Sequence, residues 1–168
     1  MHTEDQFIKK YHSLNEQEQL DFLKGFDQTL DQALAHFFLF IATDTNNDDD
    51  IRIEAVTILG LYKGDYDDTD IKEKLMTIIN ADDTEDDSLI VNCINTLSLL
   101  TVDDQEIDWA LTMIQSDNYI LFKSAAFALL AQHKNYPKAI EALKSLVNDK
   151  NYGTSVQREL AAIEKYNH

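Results

Sequence analysis

Ile71-Lys-Glu-Lys-Leu-Met-Thr-Ile-Ile-Asn-Ala-Asp82 decides how this chain is read, because its pattern returns twice without gaps. Glu106-Ile-Asp-Trp-Ala-Leu-Thr-Met-Ile-Gln-Ser-Asp117 and Lys138-Ala-Ile-Glu-Ala-Leu-Lys-Ser-Leu-Val-Asn-Asp149 repeat it. Each segment ends in an apolar pair, two polar or small residues, and Asp. A looser copy runs from Ala33 to Asp44, with Phe40-Ile41 as its pair. The anchors Ile41, Ile79, Ile114 and Val147 stand 38, 35 and 33 residues apart. Within the copies, Leu75, Ile78 and Ile79, or Ile107, Ala110, Leu111 and Ile114, recur at the 3.6-residue period of an amphipathic helix.

A second helical stretch follows each copy, over about 50–61, 86–100, 118–132 and 152–166. These stretches are apolar over a wider arc, as in Ala125, Ala126, Phe127, Leu129 and Leu130, which suits helices flanked on both sides. A unit of 33 to 38 residues holding two helices is the signature of an α-solenoid, in which each pair buries its apolar face on the next. The expected fold is therefore all-α: a right-handed α-solenoid of about four helix pairs. Residues 1–27 are read as an N-terminal helical cap, broken near Ser13-Leu14-Asn15, and residues 28–168 as one continuous array. Ser13 and Glu16 are spaced as a partial capping box, Thr69 is placed as a plain N-cap, and Pro137 falls at a first helical position.

Composition agrees. Four Gly and one Pro are too few for the turns of an all-β sandwich or a glycine-rich phosphate loop. With 168 residues and 44% hydrophobic content the chain can bury a core without disulfides or metals. Its one cysteine, Cys93, allows no internal disulfide and no cysteine metal cluster, so a reducing, cytoplasmic location is expected. MHTEDQFIKK lacks an apolar leader core, and no uncharged apolar run approaches membrane-spanning length, so secretion and membrane insertion are disfavoured.

The second helices resemble the HEAT-like repeat family, in particular short bacterial α-solenoids of the phycobilisome-lyase type. The residues carrying this are Ile51-Arg52-Ile53-Glu54-Ala55-Val56 with Leu59, Phe122-Lys123-Ser124-Ala125-Ala126-Phe127 with Leu130, and Gln157-Arg158-Glu159-Leu160-Ala161-Ala162. The resemblance covers about 30–166. It implies a polar ladder between repeats, from an Asp in the turn and an Arg six residues later. Asn46 with Arg52, Asp86 with Asn92, and Asp117 with Lys123 match that spacing only in part. The resemblance also implies a non-catalytic protein-binding adaptor or scaffold, and by analogy alone a lyase-like or chromophore-handling subunit. Iron hydroxylases built from such repeats use His-Glu dipeptides, and none of the five histidines here precedes Glu.

Thirty-one acidic groups against fourteen basic ones give a net charge of −17, which opposes binding to nucleic-acid phosphates. Residues 1–117 carry −20 and residues 118–168 carry +3. A protein partner is expected, and the charge favours a basic one. If the second helices line a concave face, Arg52, Asn92, Asn95, Lys123 and Arg158 are its polar candidates. The alternative is an acidic inhibitor or nucleic-acid mimic, in the manner of an immunity protein, acting through Asp48, Asp49, Asp50, Asp82, Asp83, Asp86 and Asp87. The same carboxylates also suit helix capping and solubility. Asp44, Asn46, Asp48 and Asp50 alternate as in a calcium loop, but Asp49 and Ala55 stand where its Gly and Glu belong, so no metal and no cofactor is expected. His36 reads as a core or groove histidine and Cys93 as an inert buried thiol. Tyr62, Tyr66, Trp109, Tyr119 and Phe122 divide between core and contact surface.

Overall fold

The computed structural model describes residues 3–81 and 85–166, and among them every regular element is a helix. The helices are α1 (Thr3–His12), α2 (Glu16–Lys24), α3 (Gln32–Thr43), α4 (Asp49–Leu61), α5 (Thr69–Ile79), α6 (Asp87–Leu99), α7 (Asp104–Gln115), α8 (Ile120–Gln132), α9 (Pro137–Ser145) and α10 (Gly153–Tyr166). None is long and apolar enough to cross a membrane. Packing divides the chain into two compact units, Met1–Leu100 and Thr101–His168. The division falls inside the stretch read as one array and leaves the N-terminal helices in the first unit.

In the first unit the helices form two rows. α1 packs on α3 and α3 on α5, while α2 packs on α4 and α4 on α6; α1/α2, α3/α4 and α5/α6 pair across the rows. The periodicity explains which helix goes where. α5 buries the narrow stripe Ile71, Leu75, Ile78 and Ile79, whereas α4 buries Ile51, Ala55, Val56, Ile58 and Leu59 over a wide arc. α6 matches α4 with Leu89, Ile90, Cys93, Ile94 and Leu97. Each such aliphatic side chain taken from water contributes about 1.5–3 kcal/mol.

The α4–α6 contact is close because Gly60 has no side chain: a Cβ there would lie 3.0 Å from Leu99 Cδ1 and 3.3 Å from Thr96 Oγ1. At that seam the buried Thr96 hydroxyl donates to the Val56 carbonyl at 2.9 Å, across the two helices. At the other end of the unit, Phe7 stacks on Phe22 at 4.7 Å, and Phe26 meets the fully buried Phe38 edge-on at 5.0 Å. These rings close α1 and α2 over α3.

Aspartates and asparagine start several helices. Asn15 and Glu18 form a capping box on α2, with both hydrogen bonds at 3.0 Å. The box is thus two residues beyond the expected Ser13, whose hydroxyl instead ends α1 by donating to the Lys10 carbonyl at 2.6 Å. Asp31 caps α3, Asp48 α4, Asp86 α6 and Asp103 α7. Thr69 is the first residue of α5 rather than its cap; its backbone N–H and hydroxyl both donate to Asp67, which lowers the Asp67 carboxyl below its ordinary range. Pro137 opens α9, where its fixed φ and missing N–H fit.

In the second unit α7 packs on α8 and α9, and α9 on α8 and α10. Ile107, Ala110, Ile114, Ala126, Leu129, Leu130, Leu143 and Val156 form its core. Tyr152, just before α10, stacks on Phe127 at 5.1 Å with its hydroxyl 3.1 Å from Ser124 Oγ. Lys134 pairs with Glu159 at 2.9 Å.

The loop after α4 lies close against the backbone that leads into α3. Leu30 N–H donates to the Tyr62 carbonyl at 2.8 Å, and a Cβ on Gly64 would fall 1.9 Å from the Leu30 carbonyl oxygen. Gly64→Ala is expected to destabilise by about 1–3 kcal/mol, as overpacking against backbone does. Gly25→Ala, whose nearest atom would be 3.7 Å away, should change stability by less than about 1 kcal/mol. Chemical denaturation of both variants checks the contrast.

Candidate functional site

Arg52 lies one turn into α4, and its placement differs from the sequence expectation. Read as a polar candidate for a partner-binding face, it is 3% exposed. Its Nε donates to the Ala42 carbonyl at 2.8 Å, in the last turn of α3, where helical carbonyls lack partners along the chain. Its Nη1 and Nη2 donate to Glu85 Oε2 and Oε1 at 2.6 and 3.4 Å, and Asp49 Oδ1 is 3.8 Å from Nη1. A planar guanidinium can fork two carboxylate oxygens and still reach a carbonyl, which a lysine cannot. Arg52 is therefore a structural clamp on α3, α4 and the approach to α6. Its hydrogen-bonded acid is Glu85, 33 residues onward, while Asp49 in its own turn stays at the longer ion-pair distance.

The clamp has an electrostatic consequence. It holds the start of α4 beside the residues that precede α6, so exposed Asp48, Asp49 and Asp50 share an edge with exposed Asp86 and Asp87. Asp82 and Asp83, also assigned to this edge, lie outside the described residues. Residues 1–100 contain 22 acidic and 7 basic groups, net −15; residues 101–168 contain 9 and 7, net −2. Much of the edge also serves the backbone: Asp48 accepts from Asp49 N–H at 3.0 Å, Asp86 from Ser88 and Leu89 N–H at 2.8 and 3.3 Å, and Asp44 from Asn46 N–H at 2.9 Å. Among the described residues no three His, Cys, Asp or Glu side chains gather to hold a metal ion.

From this edge, α4 and α6 run together toward an apolar end. Ile53, Glu54 and Thr57 on α4, and Val91 and Asn92 on α6, are half-buried, and Asn95 is exposed. Asn92 Nδ2 donates to the Ser88 carbonyl at 2.8 Å. At the far ends Leu61 is 64% and Leu99 45% exposed. The outward face of the two helices thus passes from carboxylates, through half-buried Glu54, Ile53 and Val91 and the short polar Thr57, Asn92 and Asn95, to leucines. The sequence reading missed both leucines; the available signal was that Leu61 falls off the arc of Ile51, Ala55, Ile58 and Leu59.

The other candidates scatter. Lys123 is half-buried on α8 and Arg158 exposed on α10, both in the second unit. Tyr119, Ile120 and Leu121 are exposed there, with Phe122 edge-on to Tyr119 at 5.2 Å. Trp109 is half-buried, and Tyr62 packs on Phe26 at 5.3 Å. Tyr66 is half-buried, with burial as the main cause of a phenol pushed up to about 12; its ring lies 5.4 Å from Lys63 Nζ. His36 is exposed on α3, not in the core, because its position faces away from the stripe of Leu34, Ala35, Phe38 and Leu39.

No family model matches the chain, and no curated protein or solved structure matches it either.

Two measurements check this arrangement. Arg52→Met leaves Glu85 and the Ala42 carbonyl without their cation and should cost about 3 kcal/mol by chemical denaturation. Arg52→Met with Glu85→Leu should recover most of that loss, since a buried ion pair and its apolar replacement are close in energy. Cys93 is fully buried, and burial pushes its thiol up to about 12. A thiol raised in the folded state favours folding below its unfolded pKa, and that contribution fades as pH rises toward the folded value. Cys93 should accordingly resist a thiol reagent at pH 8 until denaturant unfolds the chain.

Proposed function

We propose that this chain is a non-catalytic protein-binding adaptor, built as a right-handed α-solenoid of about four HEAT-like helix pairs with α1 and α2 as its N-terminal cap. The two-row packing of the first unit supports the solenoid reading: each row extends by one helix per pair, with the short α1 and α2 at its end. The observation that carries the binding role is the pair of exposed leucines, Leu61 and Leu99, at one end of adjacent helices that otherwise bury nearly all their large apolar side chains. Exposed apolar side chains grouped on a rigid helical face mark contact surfaces. A reducing compartment suits the buried, unpaired Cys93. Asn92 and Asn95 remain contact candidates on this face, and Lys123 and Arg158 are candidates for the second unit.

A second reading, an acidic inhibitor of a basic protein, is favoured by one observation. The Arg52–Glu85 bridge fixes the exposed carboxylates of two turns on one edge, within a unit of net charge −15. Fixed like charges at an edge steer a basic partner and suppress an acidic one.

Capture from a lysate of the source organism at about 0.15 M and about 0.5 M salt separates the readings. The adaptor reading predicts a partner weakened by salt but still captured at about 0.5 M through its apolar contact, and lost from Leu61→Ser/Leu99→Ser. The inhibitor reading predicts a basic partner lost at high salt and lost from Asp49→Asn/Asp50→Asn/Asp87→Asn. A partner indifferent to both variants contradicts both.

A further inference from the structure

The outward face of α4 and α6 is asymmetric along its length, and the asymmetry specifies what would cover it. At the N-terminal ends stand exposed Asp49, Asp50 and Asp87, none of them the N-cap of its helix. At the C-terminal ends stand exposed Leu61 and Leu99, with Gly60 letting α6 approach closely enough that Leu99 borders α4. Between them Thr57, Asn92 and Asn95 are short enough to let another backbone approach, and Ile53, Val91 and Glu54, the last one turn beyond Asp50, are half-buried. Each helix has 13 residues, so the acidic and apolar ends lie roughly 20 Å apart.

We infer that this face docks a basic amphipathic helix of about three to four turns, with lysines or arginines clustered toward one end and a leucine-like stripe toward the other. The inference rests on the adaptor reading and names the partner's chemistry. Charge complementarity fixes the cationic end, because a carboxylate-lined edge in a unit of net −15 attracts cations and repels an acidic partner. The exposed leucines fix the other end: two apolar side chains at matched positions on parallel helices flank the apolar stripe of a helix laid along them. A uniformly basic segment would leave the leucines wet, and a uniformly apolar one would forgo the carboxylates. Only a segment segregated along its length satisfies both.

The test is fluorescence polarisation with labelled 14-residue synthetic peptides. One has lysines confined to one end and leucines at helical spacing over the rest, made with the lysine block at either terminus. The controls have the same composition in scrambled order, or Glu in place of Lys. The segregated peptide, in one of its two orders, should bind at least about 10-fold more tightly than either control, with affinity falling as salt rises. Leu61→Ser/Leu99→Ser should weaken it about 10-fold, and Asp49→Asn/Asp50→Asn/Asp87→Asn should weaken it and flatten the salt dependence. Asn95→Arg, at an exposed position between the two ends, should also weaken it while leaving the thermal midpoint unchanged. Equal binding of the scrambled peptide, equal binding of the Glu peptide, or indifference to the leucine and Asn95 variants would each overturn the inference. Sedimentation showing a dimer that dissociates on Leu61→Ser/Leu99→Ser would overturn it too, assigning the face to a second copy of the chain. If no peptide binds but the lysate partner is still lost from the leucine variant, the adaptor reading stands and the basic-helix occupant falls.

Discussion

A single guanidinium sets the geometry of the first unit's polar edge. Arg52 joins the last turn of α3, the first turn of α4 and the residue before the N-cap of α6, through Ala42, Asp49 and Glu85. Without it the Glu85 carboxylate, 11% exposed, would sit partly desolvated with its charge unpaired, and the end of α3 would lose a donor. The apolar seam between α4 and α6 buries aliphatic side chains of both helices and so contributes free energy. The arginine supplies the register, because bidentate pairing tolerates little displacement. An acidic edge can be rigid under such a restraint although its exposed carboxylates repel one another.

Capping and clustering are the same residues seen at two scales. Asp48 and Asp86 satisfy helix N-termini, where a negative charge also meets the positive end of the peptide dipoles. Asp49, Asp50 and Asp87 follow them in the first turn, where the same dipole favours them. Because α4 and α6 lie side by side and point the same way, every capping preference adds to one edge. Local helix chemistry thereby produces a long-range field without any residue being committed to it.

The helices were legible because the repeat carries its own period. The stretches read at 50–61, 86–100, 118–132 and 152–166 match α4, α6, α8 and α10 within about two residues at each end. The repeated first-helix pattern runs past the helices themselves: α5 ends at Ile79 and α9 at Ser145, before the closing acids of their copies in sequence, Asp82 and Asp149. Asp149 belongs to a turn, where it accepts from Asn151 and Tyr152 N–H. For Arg52 the sequence offered a polar face and a ladder partner six residues back, at Asn46; only the fold brings Glu85 and the Ala42 carbonyl within its reach. Leu61 and Leu99 were overlooked because, in sequence, each continues an apolar run. Whether such a residue points inward depends on helical phase, and a phase error of one residue is about 100°.

The central claim is that the open face of α4 and α6, rather than some other surface, meets the partner. Methyl NMR on leucine-labelled protein tests it directly, titrating in the lysine-and-leucine segregated peptide. The account predicts that the Leu61 and Leu99 methyl signals shift most, while exposed Leu121 in the second unit and buried Leu75 stay in place. Shifts concentrated at Leu121, or no shift at Leu61 and Leu99 under saturating peptide, would contradict it.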